Sequence, residues 1–205
     1  MPPTQHDENV APNAPVSQEG DDRDDRFYDA YSFSRSDPRR AVIHDRAVGI
    51  VVAQGKKSDP YYPGDYPFES LLADGAQSGT LYIVRTGLMT LQLPPIIVQS
   101  LDRCDVDLNL HCCVQVTSPA DLVDEPDPKG KLVLIVQTAA RYTFGRYTSQ
   151  QLGNPCTDCV DVETIGQRLN EICINDFQAE RGVAGVILDR LDFDTPWQVS
   201  RPPAG

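Results

Sequence analysis

The clearest pattern along the chain is a strict alternation of apolar and polar residues between positions 105 and 117. Because successive side chains of a strand point to opposite faces, this alternation predicts one long strand with a buried face and a solvated face. Ser118-Pro119 predicts its end, since proline cannot donate to a strand ladder. The apolar positions are Val106, Leu108, Leu110, Cys112, Val114 and Val116.

Shorter β-rich runs precede this strand. Residues 41–43 and 47–53 predict a hairpin or two short strands, and 80–85 and 89–93 predict two more. The proline- and tyrosine-containing stretch 55–64 predicts a loop.

After residue 119 the apolar spacing becomes helical. Residues 131–144 predict one helix and 162–181 a second amphipathic helix, followed by a strand over 183–193. Strands followed by helices and a closing strand indicate an α+β fold. We therefore expect a strongly twisted, largely antiparallel sheet with two helices packed on one side.

The first forty residues lack such a pattern. Polar and charged residues with several prolines predict a disordered acidic tail over 1–40, a folded domain over 41–196 and a proline-rich end over 197–205. One stretch of the tail is aromatic, and it could fold back on its own domain or dock on a neighbouring subunit. The candidate interaction residues are Phe27, Tyr28, Tyr31 and Phe33.

The charge of the chain narrows the possible partners. With 18 basic and 30 acidic residues, the net charge of −12 argues against binding to nucleic acid or to an anionic membrane surface. The sequence shows neither a secretory signal nor a long apolar run, so we expect a cytoplasmic protein. Any peripheral membrane association is then expected to depend on partners.

Two cysteines form the one motif with metal or redox precedent. Cys156 and Cys159 are spaced as CxxC shortly before the second predicted helix. Three hypotheses are open: structural thiols, half of a zinc site, or a redox pair. Zinc would need further ligands, and the strand order is wrong for a thioredoxin fold, so these are weak metal candidates.

A histidine and a cysteine also share a face of the long predicted strand. His111 and Cys113 lie about 7 Å apart at their Cα atoms by strand geometry. Without an evident third group to orient them, we interpret His111 as a polar surface residue. No glycine-rich phosphate loop or hydrolase motif is present, so we expect no enzyme activity, no cofactor and no small-molecule substrate.

With these elements in order, the chain resembles the SPFH family, also called band 7 or prohibitin-homology domains. The resemblance covers residues 41–196, and its motifs are diffuse. They are the opening strand 47–53, Pro63-Gly64, Ser100-Leu101-Asp102, Val116-Thr117-Ser118-Pro119, Ala140-Arg141 and Arg181-Gly182-Val183.

The resemblance implies a scaffold. Proteins of this family assemble laterally on membranes and have no catalytic residues to transfer. This sequence lacks the family's hydrophobic anchor and long C-terminal helix. We therefore expect a non-enzymatic assembly domain that forms homo-oligomers. The alternatives are a metal- or redox-active module using Cys156 and Cys159, or a structural component of a larger particle.

Overall fold

The computed structural model describes residues 26–153, 161–177 and 182–200. It has a mixed α+β fold with mostly antiparallel strand pairing, as the sequence predicts. The predicted single domain is divided into two compact units. Residues 28–84 form the first unit, and Phe27 together with the described residues from 85 onward belongs to the second.

The first unit contains a four-stranded sheet of order β1-β6-β3-β4 and a two-stranded sheet of β2 and β5. Its core is aliphatic and aromatic, with Phe68 and Leu81 each 1 % exposed. The elements are β1 (Tyr28–Ser34), β2 (Arg40–Ile43), β3 (Ala47–Ala53), β4 (Lys56–Lys57), β5 (Gly64–Pro67), α1 (Phe68–Leu71) and β6 (Ser78–Arg85).

Strand β1 corrects the predicted tail. Residues 28–34 pair along their whole length with β6, and Phe33 stacks on Phe68 with ring centroids 4.5 Å apart. The prediction of a tail over 1–40 is therefore wrong for this segment, because its strand partner lies some fifty residues further along the chain. Residues 1–25 lie outside the described residues.

The second unit contains two three-stranded sheets, of order β11-β10-β7 and β12-β9-β8. Among its described residues, two long helices and two short ones complete it. The elements are β7 (Gly87–Gln92), β8 (Ile96–Gln99), β9 (Asp105–Leu108), β10 (Leu110–Val116), α2 (Pro119–Leu122), α3 (Pro128–Phe144), α4 (Ser149–Gly153), α5 (Val162–Asp176), β11 (Val186–Phe193) and β12 (Gln198–Val199).

The long predicted strand is two strands. Asn109 separates β9 from β10, and each pairs with strands of a different sheet. The predicted burial of the even positions is confirmed, from Val106 to Val116. The alternation alone could not reveal the break, because one unpaired residue leaves a period of two intact.

The long helices lie close to their predicted positions. Helix α3 begins at Pro128, where the Asp127 carboxylate accepts a hydrogen bond of 2.8 Å from the Gly130 amide. Helix α5 ends at Asp176, and residues 178–181 of its predicted length lie outside the described residues. No helix of the described residues is both long and apolar enough to cross a membrane.

The folded part also extends past the predicted domain end at residue 196. Trp197 packs edge-on against Phe144 with ring centroids 5.3 Å apart, and its indole donates to the Leu152 carbonyl. Strand β12 then pairs with β9. The predicted domain boundary at residue 196 is therefore too early, because a single tryptophan and two strand residues carry too little pattern to be recognised in the proline-rich end.

Candidate functional site

The β11-β10-β7 sheet has two different faces. Leu91, Cys112 and Leu191 lie side by side on one face and are at most 3 % exposed. The register places three rows of residues on the opposite face, which we call the outer face. These rows are Gln92–His111–Asp192, Thr90–Cys113–Arg190 and Leu88–Gln115–Ile187.

His111 lies between two carboxylates on the outer face. Its Nδ1 is 2.5 Å from Asp194 Oδ1, and its Nε2 is 3.6 Å from Asp192 Oδ2. Asp194 also accepts a hydrogen bond from the Gln92 amide. Burial raises the pKa of Asp194, but the hydrogen bonds from Gln92 and His111 outweigh it, so that pKa lies below its ordinary value.

The Cys113 thiol lies in the next row. Its Sγ is 3.8 Å from Thr90 Oγ1 and 3.9 Å from Arg190 Nη2. The Arg190 Nε is in turn 2.5 Å from Asp192 Oδ2. A ring nitrogen of His111, the Cys113 Sγ and an Asp192 carboxylate oxygen all lie within 4.8 Å of one another.

This arrangement supplies the orienting groups that were not evident when His111 was interpreted as a polar surface residue. Its partners come from β11 and the residue after it, with Asp194 lying 83 positions away in sequence. A register shift between Cys113 and Val114 sets Arg190 opposite Cys113. Cys113 itself is 6 % exposed, although the alternation placed it on the solvated face. Only strand register brings these groups together, so no local sequence pattern could have indicated them.

The neighbouring thiol Cys112 faces the other way. Burial raises the pKa of Cys112, and burial likewise raises the pKa of Cys173 to about 12. Both thiols therefore stay protonated at neutral pH and serve as small apolar core residues.

The two edges of this sheet also differ. On β11, the Asn170 side chain of α5 donates to the Leu191 carbonyl and accepts from the Leu191 amide, at 2.6 and 2.7 Å. These two bonds occupy the outward main-chain groups at the middle of the strand. The β11 edge is therefore closed by α5.

The β7 edge has no such cover within the described residues. The Leu93 amide donates to the Leu110 carbonyl, so Leu93 and every second residue before it direct their main-chain groups towards β10. The main-chain amides and carbonyls of Leu88, Thr90 and Gln92 therefore point outward from the sheet. No hydrogen bond of the described part of the chain reaches them.

The third row of the outer face is largely apolar. Leu88 and Ile187 are 66 % and 53 % exposed and flank Gln115. Leu88 belongs to the open edge strand β7, whereas Ile187 lies on β11 at the other edge of the sheet.

The other candidate residues predicted from the sequence do not lie on this face within the described part of the chain. Cys156 and Cys159 lie outside the described residues. Phe27 and Phe33 are 3 % and 6 % exposed, which agrees with the first alternative, that the aromatic stretch folds back on its own chain, and leaves these two side chains little surface for docking on a neighbouring subunit. Tyr28 and Tyr31 are partly buried in the same strand, β1.

In comparisons with known proteins, no family model matches this chain, and no curated protein is similar enough to count as a relative. The outer face and the open edge of the β11-β10-β7 sheet are therefore the basis for any assignment of function.

Proposed function

We propose that this chain is a non-enzymatic scaffold whose copies associate laterally through the edge of β7. The observation that carries the proposal is the row of outward main-chain groups at Leu88, Thr90 and Gln92. Unpaired amides and carbonyls at a sheet edge are a template for a strand of another chain.

The composition of β7 supports the same proposal. Edge strands that remain unpaired usually carry charges or proline, which prevent contact with other sheets. Residues 87–92 contain neither. Strand β11, whose edge is closed by α5, contains Asp189, Arg190 and Asp192.

A second copy of the chain is the partner we propose. Two β7 strands related by a two-fold axis would pair antiparallel and join their sheets into one of six strands. Leu88 on each copy would become buried against the other. A buried leucine contributes roughly 1.5–3 kcal/mol, which is enough to bias such a contact.

The resemblance to the SPFH family favours the same class of function, since lateral packing of these domains is the family's mode of assembly. We propose the family as well as the role. In this proposal the chain acts in the cytoplasm, and any contact with a membrane is made through partners.

Sedimentation velocity of the full chain across micromolar concentrations tests the proposal. Leu88→Lys places a charge on the edge strand of each copy, and pairing of the two strands would bring these charges close together. We expect association to weaken at least about tenfold, as loss of one buried leucine implies. Leu134→Lys is the matched control, because Leu134 is 60 % exposed on α3.

Two results would contradict lateral association through β7. One is a monomeric mass for the unmodified chain over the whole concentration range. The other is an equal loss of association in Leu88→Lys and Leu134→Lys, at unchanged melting temperature, because the edge would then have no special role.

A further inference from the structure

We propose that His111, Cys113 and Asp192 bind a zinc ion on the outer face of the β11-β10-β7 sheet. This inference goes beyond the scaffold role and stands on different residues from the β7 edge contact. It involves neither of the cysteines of the CxxC motif.

The positions of the donor atoms suit a small cation. One nitrogen of His111, the Cys113 Sγ and one Asp192 oxygen lie within 4.8 Å of one another. Ligand bonds of about 2.0–2.3 Å in tetrahedral geometry place donors roughly 3.3–3.8 Å apart. The donor atoms would therefore have to approach one another by up to about 1 Å, through small changes in side-chain torsion angles.

The histidine is already oriented for this role. Its Nδ1 is held by Asp194 at 2.5 Å, and its Nε2 faces Asp192 at 3.6 Å. A carboxylate on one ring nitrogen fixes the ring and strengthens the other nitrogen as a ligand, as is usual at zinc sites. The Gln92 amide holds Asp194 in place in turn.

The charges around the site also fit a divalent ion. With a metal bound, Cys113 would coordinate as a thiolate and release its proton, so that Cys113, Asp192 and Asp194 would contribute three negative charges and Arg190 one positive charge. An ion of charge +2 balances the remainder. Arg190 contacts Asp192 through Oδ2, the same oxygen that faces His111 Nε2, so a metal would share this carboxylate with Arg190.

The chemistry of the donors selects among metals. Imidazole nitrogen and thiolate sulfur are ligands for zinc, whereas magnesium and calcium require oxygen donors. Three protein ligands leave the fourth tetrahedral position to water or to an incoming donor. The side chains of His111 and Asp192 are 25 % and 36 % exposed, so solvent reaches this position.

The test uses the full chain in a Cys156→Ser/Cys159→Ser background, which removes the CxxC thiols as competing ligands. Titration with Zn²⁺ or Co²⁺ alone should saturate at one ion per chain. The Co²⁺ form should show tetrahedral ligand-field bands and a thiolate charge-transfer band. Cys113→Ser should abolish the charge-transfer band, and His111→Gln should weaken binding at least about tenfold.

Two further variants separate ligands from neighbours. Asp194→Asn keeps the three ligands but removes the partner of Nδ1, and affinity should fall roughly 10- to 100-fold. Gln115 lies on the same face but is not one of the three ligands, so Gln115→Ala should leave the affinity for the metal unchanged. Melting of the metal-free variants shows whether each one is folded.

The proposal is overturned if the double-serine background binds no metal at micromolar concentrations. It is equally overturned if folded Cys113→Ser binds as tightly as that background and keeps the charge-transfer band. Neither result changes the sedimentation of the unmodified chain, so failure of the zinc site is distinguishable from failure of lateral association.

Discussion

At the scale of single residues, a few polar side chains organise the second unit by satisfying main-chain groups. Asp102 accepts hydrogen bonds from the Ser149 amide and hydroxyl and from the Ser100 hydroxyl, and so links the turn after β8 to the start of α4. Its pKa falls to about 2, first because of the Ser149 hydroxyl and then because of the Ser100 hydroxyl. Hydrogen bonds to the charged form, rather than a nearby cation, cause this shift.

A titration of Asp102 tests this arrangement. Because the folded pKa lies below the unfolded value, the carboxylate stabilises the fold above about pH 3.8, and this contribution is lost as the pH falls through about 2. The carboxyl carbon followed by NMR should titrate near pH 2. Ser149→Ala should raise the midpoint towards 3.8, and by more than Ser100→Ala does. Equal midpoints in both variants would contradict the ranking of the two hydroxyls.

Phe33 illustrates a residue whose role depends on a distant partner. It is 6 % exposed and stacks on Phe68, within the core of the first unit. Phe33→Ala should therefore cost about 3–5 kcal/mol of unfolding free energy, as expected for a truncated core aromatic. Chemical denaturation monitored by circular dichroism measures the loss.

The matched control for Phe33 is Tyr62→Ala, because Tyr62 is 67 % exposed. That variant should change stability by less than about 0.5 kcal/mol, as is usual for surface substitutions. Similar losses in the two variants would show that β1 contributes little to the core.

At the scale of elements, the contrast between β7 and β11 decides which edge can accept another strand. Helix α5 closes β11 through one asparagine, while β7 presents its main chain outward within the described residues. The amphipathic pattern of α5 explains why one stripe of the helix is buried, but not why the helix covers the edge of β11. Asn170 lies at the border of that buried stripe, and its side chain bonds to the outward main-chain groups of Leu191 on β11.

Replacement of Asn170 tests this function of α5. Asn170→Ala should cost roughly 1–3 kcal/mol, because the Leu191 amide and carbonyl lose both partners. It should also speed amide exchange of Leu191, measured by hydrogen–deuterium exchange. Asn175→Ala is the control, since Asn175 lies exposed on the same helix. Unchanged exchange at Leu191 in the first variant would contradict the edge-cover role.

At the scale of the whole molecule, charge opposes association. The net charge of −12 makes copies of the chain repel one another over a distance of about 10 Å at 0.1 M salt. The β7 contact is proposed to rely on main-chain hydrogen bonds and the apolar side chain of Leu88. Screening of the repulsion between copies by salt should therefore strengthen the β7 contact.

Raising sodium chloride from about 0.02 to 0.3 M should lower the dissociation constant of the assembly several-fold, as measured by sedimentation velocity. The reason is that the Debye length shortens from over 20 Å to under 6 Å. An assembly that weakens with salt would instead rest on opposite charges and would contradict a contact made by β7.

The sequence by itself determined the helices and strands whose formation follows from the local spacing of apolar residues. The period of a helix or a strand predicts which of its faces is buried. This applies to the apolar spacing in α3 and α5 and to the alternation from Val106 to Val116. The mixed α+β class follows from their order.

Tertiary structure decided everything that depends on register between distant segments. The place of β1 in a sheet, the break at Asn109 and the closed edge of β11 each require a partner far away in sequence. The same holds for His111, whose carboxylate partners lie on and just after β11. A period of two says which way a side chain points, but only strand pairing says what lies beside it.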